Sequence, residues 1–382
     1  MEFDFTWLLW GLPLAFALGW LASRFDLRQW RFESRQAPKA YFRGLNHLLN
    51  EQQDQAIDAF IEAVQHDPDT TELHFALGNL FRRRGDYDRA VRVHEHLLSR
   101  ADLSLKDRQR AQHALALDFL KAGLLDRAES ALWRLEGTPF EAEARLARLA
   151  IYERTRDWER AAEVATQLED AERGTFQLRL AHYRCEQALG LRQQNRMTEA
   201  LTLLESLVDE IPGSARAWIT LAELRHGLSN TQGAWEALRE LCHRVPSHVP
   251  LIAHNLAVWA KLLQRSADAR ALLQGWAARR APSLDVTQAL ASLEPDPASG
   301  RRLYIEHLRR EPSLVAATLW LAGEHWGEGE EETLVKQSLE RACDPMKRYR
   351  CAACGFEARQ YFWQCPGCQS WDSYPPLRVE EL

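Results

Sequence analysis

The chain has 382 residues, of which 46% are hydrophobic and 27% are charged. A net charge of −6 provides no overall positive field for gathering nucleic acid, so nucleic acid is not expected as a partner. Only 15 residues are proline, and the composition as a whole is typical of a helical protein with few strands.

The chain begins with an apolar segment, and residues 5–23 carry no charged side chain. A helix of this length, rising about 1.5 Å per residue, reaches across the roughly 30 Å hydrocarbon core of a bilayer. A cleaved signal peptide is the alternative, but Glu2 and Asp4 stand where a basic region is needed, and no A-x-A site follows. We therefore predict a transmembrane helix over residues 1–23.

A basic juxtamembrane segment follows over residues 24–40. Its arginines have the spacing of one helical stripe: Arg24, Arg28, Arg31 and Arg35. By the positive-inside rule they predict a single-pass protein whose C-terminal bulk is cytoplasmic. The stripe either rests on anionic lipid headgroups or serves only to set the topology, and the sequence leaves both interpretations open.

Small residues reveal an internal repeat. Alanines recur at intervals of 33 to 39 residues: Ala56, Ala90, Ala128, Ala161, Ala200, Ala234 and Ala269. A period of about 34 residues is that of tetratricopeptide repeats, in which each repeat is a pair of helices. We predict an all-α tetratricopeptide-repeat solenoid over residues 41–342, with about eight helix pairs and degenerate last repeats. A bundle of ordinary helices is the alternative.

The clearest repeat begins near residue 71. It places Gly78 in a first helix, Gly85 at the turn and Ala90 in a second helix. Small residues let paired helices approach closely, and prolines such as Pro212 and Pro246 end second helices because proline lacks an amide donor. The pattern drifts over residues 130–180, where Leu149 replaces the small residue of the repeat.

Repeat arrays normally bind protein segments on the concave face formed by their first helices. In the clearest repeat Asn79, Arg82 and Arg83 are predicted to face it, where an amide and two guanidinium groups can hold peptide carbonyls or acidic groups. A charged helix face that is merely solvated explains the same residues.

Four cysteines near the C-terminus form two C-x-x-C pairs: Cys351, Cys354, Cys365 and Cys368. Such pairs predict a small domain over residues 343–382 in which four thiolates hold one metal ion. Four thiolates leave no open coordination position, so a catalytic role for the metal is not expected. The spacing does not choose between iron and zinc. Disulfides or redox-active thiols are the alternatives, and a reducing cytoplasm disfavours them.

Aromatic residues flank the four cysteines and are predicted to form an apolar shell: Tyr349, Phe356, Trp363 and Trp371. The rest of the chain contains no H-E-x-x-H, G-x-S-x-G or phosphate-binding glycine loop, and we do not expect an enzyme. Two rival functions are electron transfer through the four-cysteine centre and a general repeat co-chaperone that takes peptide C-termini.

With these parts in this order, the chain resembles the lipopolysaccharide assembly protein B family of the Gram-negative inner membrane. The most specific matching stretches are ALGNLFRRRGDYDRAVRVHEH, LLDRAE, YRCAACGF and WQCPGCQSW. The last two look like the rubredoxin-type domain of that family. The departures lie mostly in the middle repeats and the acidic N-terminal residues.

The resemblance implies a regulatory adaptor of lipopolysaccharide synthesis at the bacterial inner membrane. It implies three partners: an FtsH-type membrane protease, the committed UDP-acyl-GlcNAc deacetylase of lipid A synthesis, and a lipopolysaccharide-sensing inner-membrane protein. The adaptor is expected to help the protease degrade the deacetylase and to gather lipopolysaccharide assembly proteins. For the four cysteines the resemblance implies iron, with zinc as the alternative.

Overall fold

The computed structural model describes residues 13–20, 39–66, 70–170, 175–324 and 330–382. Residues 13–20 are helical, while the rest of the predicted transmembrane helix and most of the basic segment 24–40 lie outside the described residues. Within the described ranges, no helix has both the length and the apolar character needed to cross a membrane.

The chain divides into two compact units, Met1–Arg156 and Asp157–Leu382. In the first unit, residues 39–49 form helix α1, and Ala40 packs with Phe60 of the next helix in one buried cluster. The helices that follow are α2 (Gln53–His66), α3 (Thr71–Arg84), α4 (Tyr87–Ser99), α5 (Leu105–Ala122), α6 (Leu125–Trp133) and α7 (Glu141–Thr155). From α2 to α7, each helix packs against the next one in the chain.

The second unit continues with helices and ends in the only two strands of the described chain. Its helices are α8 (Trp158–Asp170), α9 (Gln177–Gln193), α10 (Met197–Glu210), α11 (Ala215–Gly227), α12 (Thr231–Arg244), α13 (Val249–Leu262), α14 (Ser266–Ala277), α15 (Leu284–Leu293), α16 (Pro297–Arg310), α17 (Leu314–Ala322) and α18 (Glu330–Cys343). Strands β1 (Tyr349–Arg350) and β2 (Glu357–Ala358) pair antiparallel, with Tyr349 opposite Ala358. Short 3₁₀ turns occur at Pro246–His248 and Val379–Glu381.

The recurring alanines occupy equivalent positions in the helices. Each is the fourth residue of an even-numbered helix from α2 to α14, and each is 0% exposed. At this position the side chain faces a packed neighbour, and a methyl group keeps the distance between helix axes short. The predicted tetratricopeptide-type array of helices is therefore confirmed in the described residues of both units.

Several helices end at the glycines and prolines that mark helix ends in the sequence. Gly85 and Gly123 end α3 and α5 with φ of 87° and 78°, a left-handed conformation that glycine adopts without strain. Pro212 and Pro246 come directly after the residues that end α10 and α12.

Gly78 marks the closest helix contact in the predicted clearest repeat. A Cβ atom at this position would lie 2.5 Å from Nε2 of His94 on α4. His94 is 0% exposed, and its Nδ1 donates to Asp118 of α5 at 2.5 Å. The ring is fixed by this hydrogen bond, so it cannot simply swing away from a larger residue on α3.

We predict that Gly78→Leu destabilises the first unit by about 1 to 3 kcal/mol, the usual cost of overpacking, or more if the His94–Asp118 hydrogen bond breaks. Chemical denaturation of the full chain measures the change. Gly190→Ala on α9 is the control, because its Cβ meets no atom within 4 Å, and it should be neutral or slightly stabilising. Equal stability of Gly78→Leu and the unmodified chain would contradict this account of helix pairing.

Candidate metal centre

Two tight turns of the same design bring the cysteines together. In the first, the Cys351 amide donates to Phe356 O at 2.9 Å and the Gly355 amide to Cys351 O at 2.9 Å. In the second, the Cys365 amide donates to Ser370 O at 2.9 Å and the Gln369 amide to Cys365 O at 2.8 Å. The residue after each second cysteine is left-handed, with φ of 77° at Gly355 and 60° at Gln369. This bend turns both sulfur atoms of a pair to the same side.

The four sulfur atoms form one compact cluster in which all Sγ atoms lie within 4.8 Å of one another. Cys351 Sγ lies 3.8 Å from Cys368 Sγ, and Cys354 Sγ lies 3.6 Å from Cys365 Sγ. Metal–sulfur bonds of about 2.3 Å at tetrahedral angles place neighbouring sulfur atoms about 3.8 Å apart. The cluster therefore fits one tetrahedral metal ion, and its dimensions alone do not distinguish iron from zinc.

The surroundings favour thiolates at two of the cysteines. Burial raises the pKa of Cys351, but the Ser373 hydroxyl and the backbone amides of Cys354 and Ala353 outweigh it and lower the pKa to about 6. The hydroxyl and amide of Ser370 likewise lower the pKa of Cys368.

Cys354 shows the opposite effect. The Phe356 amide lowers its pKa, yet burial and the three neighbouring cysteines raise it to about 12. Four thiolates at these distances repel one another, and a bound cation removes that repulsion.

The apolar residues around the sulfur cluster differ from those predicted. Of the four predicted aromatics, only Tyr349 joins Cys351 and Cys365 in the buried cluster, and Tyr374 joins it from the C-terminal segment. Phe356 is 43% exposed. Trp363 and Trp371 instead contact residues of the repeat helices, because the small domain packs on those helices.

Trp371 and Asp372 join the cysteine domain to α9. The Trp371 ring stacks on His182 with centroids 4.6 Å apart, and both Asp372 carboxylate oxygens lie 2.9 Å from His182 Nε2. Trp158 and Tyr183 contact the same indole edge-on. Nothing in the sequence around residue 182 signals this partner, which lies 190 positions further along the chain.

The C-terminal tail makes a second connection. The Arg378 guanidinium lies over the Tyr349 ring and donates to Asp285 at 2.9 and 3.1 Å. Glu381 accepts from the Leu284 amide at 2.5 Å, and Glu380 accepts from amides at the start of α17. Both glutamates therefore satisfy amides that a helix N-terminus leaves unpaired.

Asn79, Arg82 and Arg83, the residues predicted to lie on the concave face of the repeats, belong to the first unit and are far from the four cysteines in the sequence. Arg82 donates to Asp118 at 3.0 Å and to Asn79 Oδ1 at 2.6 Å, so both side chains belong to an intramolecular network with Asp118. Arg83 is exposed. The sequence did not reveal Asp118 as the partner of Arg82, because 36 residues separate them.

Comparison with known proteins gives the family. The Rubredoxin metal binding domain family matches residues 349–376, and Tetratricopeptide repeat families match residues 73–109 and 185–249. Lipopolysaccharide assembly protein B of Escherichia coli strain K12 is 32% identical over 96% of this chain and 97% of its own length. The chain belongs to the lipopolysaccharide assembly protein B family. The Haemophilus influenzae member of that family is 28% identical over 97% of this chain and 98% of its own.

Among solved structures, the Naa15/Naa10 complex bound to HypK-THB has a chain that is 18% identical, with a TM-score of 0.42 over 86% of this chain and 56% of its own.

The matched rubredoxin-type range of this lipopolysaccharide assembly protein B family member contains all four clustered cysteines. The repeat and metal-domain resemblances expected from the sequence are thus confirmed.

We predict that Arg378→Ala lowers the stability of the unit Asp157–Leu382 by about 2 to 3 kcal/mol, because it leaves the mostly buried Asp285 carboxylate without its partner. Limited proteolysis should also cut the tail faster. Arg359→Ala is the control, since its pair with Asp344 is exposed and should contribute about 0.5 kcal/mol or less. Similar losses for the two variants would show that the tail contact does not stabilise the unit.

Proposed function

We propose that this chain is a membrane-anchored, cytoplasmic adaptor that regulates lipopolysaccharide synthesis at the bacterial inner membrane. It promotes degradation of the committed UDP-acyl-GlcNAc deacetylase by an FtsH-type membrane protease and answers to a lipopolysaccharide-sensing inner-membrane protein. Family membership supports this proposal, since the relatives are named for lipopolysaccharide assembly. The apolar segment at residues 5–23 and the arginines after it support the membrane anchor.

One structural observation supports a binding role more than any other: the four-sulfur cluster is built into a helical repeat array. In the proposal Cys351, Cys354, Cys365 and Cys368 hold one metal ion, iron or zinc, with no position left for a substrate. The metal orders Trp371, Asp372 and the tail, and these residues pack on the repeat helices. The ion thereby shapes the surface that the repeats offer to protein partners.

Electron transfer is a second candidate, and the exposure of two cysteines favours it. Cys354 and Cys368 are exposed while Cys351 and Cys365 are buried. An iron centre with sulfur ligands at the surface offers a short path to a redox partner. Replacement of iron by zinc separates the two functions, because zinc keeps the four-thiolate geometry but has no redox chemistry.

We predict that Cys351→Ser releases the metal, exposes residues 344–382 to protease and raises the level of the deacetylase in cells. The physical reason is that so small a domain, with two strands of two residues each, depends on its metal for folding. Metal content, limited proteolysis and immunoblotting of the deacetylase give the three readouts. Cys242→Ser, outside the cluster, is the matched control and should leave all three unchanged.

Zinc-loaded protein should match iron-loaded protein both in stability and in a reconstituted degradation assay. Equal stability with loss of activity would contradict the structural role of the metal and favour electron transfer.

We also predict that deletion of residues 1–23 leaves a folded protein that no longer restrains lipopolysaccharide synthesis. An anchor confines encounters to the membrane plane and raises the effective concentration beside a membrane protease. Deacetylase abundance in cells expressing the truncated chain is the measurement. Normal restraint by a truncated chain found only in the soluble fraction would refute the requirement for an anchor.

A further inference from the structure

A groove with a volume of about 540 Å³ lies between α12 and α14 in the second unit. This volume falls within the range of about 300 to 1,000 Å³ found for ligand pockets. The end of α12 and the turn after it form one wall, and α14 with the residues directly after it forms the other. No residue of the cysteine domain lines this α12–α14 groove, so it is separate from the metal centre.

The floor of the groove is apolar and held in place. Leu272 and Trp276 of α14 pack against the core of the second unit, and both side chains are half-buried. The Trp276 indole N–H donates to Pro246 O at 2.6 Å, which fixes the ring against the turn after α12. An ordered aromatic side chain of this kind offers a large contact area, and little conformational entropy is lost when a ligand packs on it.

Two guanidinium groups line the groove without a carboxylate partner. Arg279 and Arg280 are exposed, and in the described part of the chain neither side chain forms an ion pair or a hydrogen bond. The Arg280 guanidinium carbon lies 5.9 Å from the centroid of the Trp276 ring, so the cation lies beside the apolar floor. His243 adds an exposed imidazole, and the described lining contains no Asp or Glu.

The surroundings do not balance these positive charges. The C-terminus of α14 carries about half a negative charge, whereas two guanidinium groups follow it. On α12 the Glu240 carboxylate lies 3.9 Å from both Arg239 and Arg244, so it already has two cationic neighbours. The α12–α14 groove therefore keeps a net positive charge that is open to solvent.

Gly275 leaves room for a ligand on the wall formed by α14. It is exposed, and a Cβ atom at this position would meet no atom within 4 Å. Its φ is not positive, so the backbone conformation does not require glycine. Glycine inside a helix costs about 0.5 to 1 kcal/mol relative to alanine. Close approach of a bound chain to α14 gives this glycine a role that packing within the protein does not.

The charge and the floor together favour an acidic peptide as the ligand. Carboxylates pair with guanidinium groups through two parallel hydrogen bonds, and an apolar side chain beside them would cover the indole. A free phosphate ion would leave the floor uncovered. Nucleic acid or an anionic lipid surface would extend beyond the groove and meet a chain with a net charge of −6.

We infer that the α12–α14 groove binds an acidic segment of a partner protein, with carboxylates paired to Arg279 and Arg280 and an apolar side chain packed on Trp276. The inference rests on the proposed adaptor function, since an adaptor must hold a protein partner. It places a binding site in the second unit, whereas Asn79 and Arg82 of the predicted concave face belong to the first.

The test uses the full chain in detergent and the capped peptide acetyl-Ala-Glu-Leu-Glu-Ala-amide, with affinity measured by saturation-transfer NMR titration. Arg279→Gln should weaken binding at least tenfold, because it removes a hydrogen bond between charged groups. Arg309→Gln is the matched control and should bind like the unmodified chain. It makes the same change of charge at an exposed arginine on α16 that has no side-chain partner and lies outside the lining.

Gly275→Leu provides a second variant, which fills the groove without changing its charge and should also weaken binding at least tenfold. Its control is Gly227→Leu on α11, because Gly227 is also exposed, its Cβ would also meet no atom within 4 Å, and it lies outside the lining. Thermal unfolding of each variant shows that the fold is kept.

Three results would overturn the inference. They are equal binding of the uncharged peptide acetyl-Ala-Gln-Leu-Gln-Ala-amide, equal binding by Arg279→Gln and Arg309→Gln, and full displacement of the acidic peptide by equimolar inorganic phosphate at constant ionic strength. The last would assign the groove to a phosphate group. Failure of the adaptor function would appear instead as an unchanged deacetylase level when the whole chain is removed from cells.

Discussion

Four sulfur atoms within 4.8 Å of one another impose the constraint on which the C-terminal structure depends. The segment after α18 has two strands of two residues each and one small buried cluster, and such a segment lacks the apolar area for independent stability. Hydrogen bonds with backbone amides and with the hydroxyls of Ser373 and Ser370 lower the pKa of Cys351 and Cys368. The chain therefore favours thiolates at a place where only a cation can balance them.

The residues that follow the sulfur cluster pack on helices of the repeat array. Trp371 and Asp372 follow the last cysteine closely and reach α9, while Arg378, Glu380 and Glu381 reach α15 and α17. Helix pairs in a repeat protein contact mainly their neighbours, so contacts with three separate helices join parts of the array that the repeats alone do not join. In the proposed adaptor function, this arrangement would keep the binding surface of the repeats fixed.

The sequence predicted those features whose signals are local or periodic. The alanine period predicted the buried fourth residue of each even-numbered helix from α2 to α14, because close packing requires a small side chain at that position. The two C-x-x-C pairs predicted the sulfur cluster, because two intervening residues are enough for a turn that brings both sulfur atoms of a pair together. The partners of Arg82, His182 and Arg378 were not predicted, since they lie 36, 190 and 93 positions away and leave no pattern in the sequence. For the same reason Trp363 and Trp371 were assigned to the metal shell rather than to the contact with the repeats.

Hydrogen–deuterium exchange of the full chain with and without its metal tests most directly whether the cysteine domain is an integral part of the repeat array. The amides of Leu284 and Val315 donate to Glu381 and Glu380, so their exchange reports on the tail directly. We predict that removal of the metal increases exchange at these amides and in α9, and leaves helices α2 to α5 unchanged. Unchanged exchange at Leu284, Val315 and α9 after complete loss of metal would contradict it.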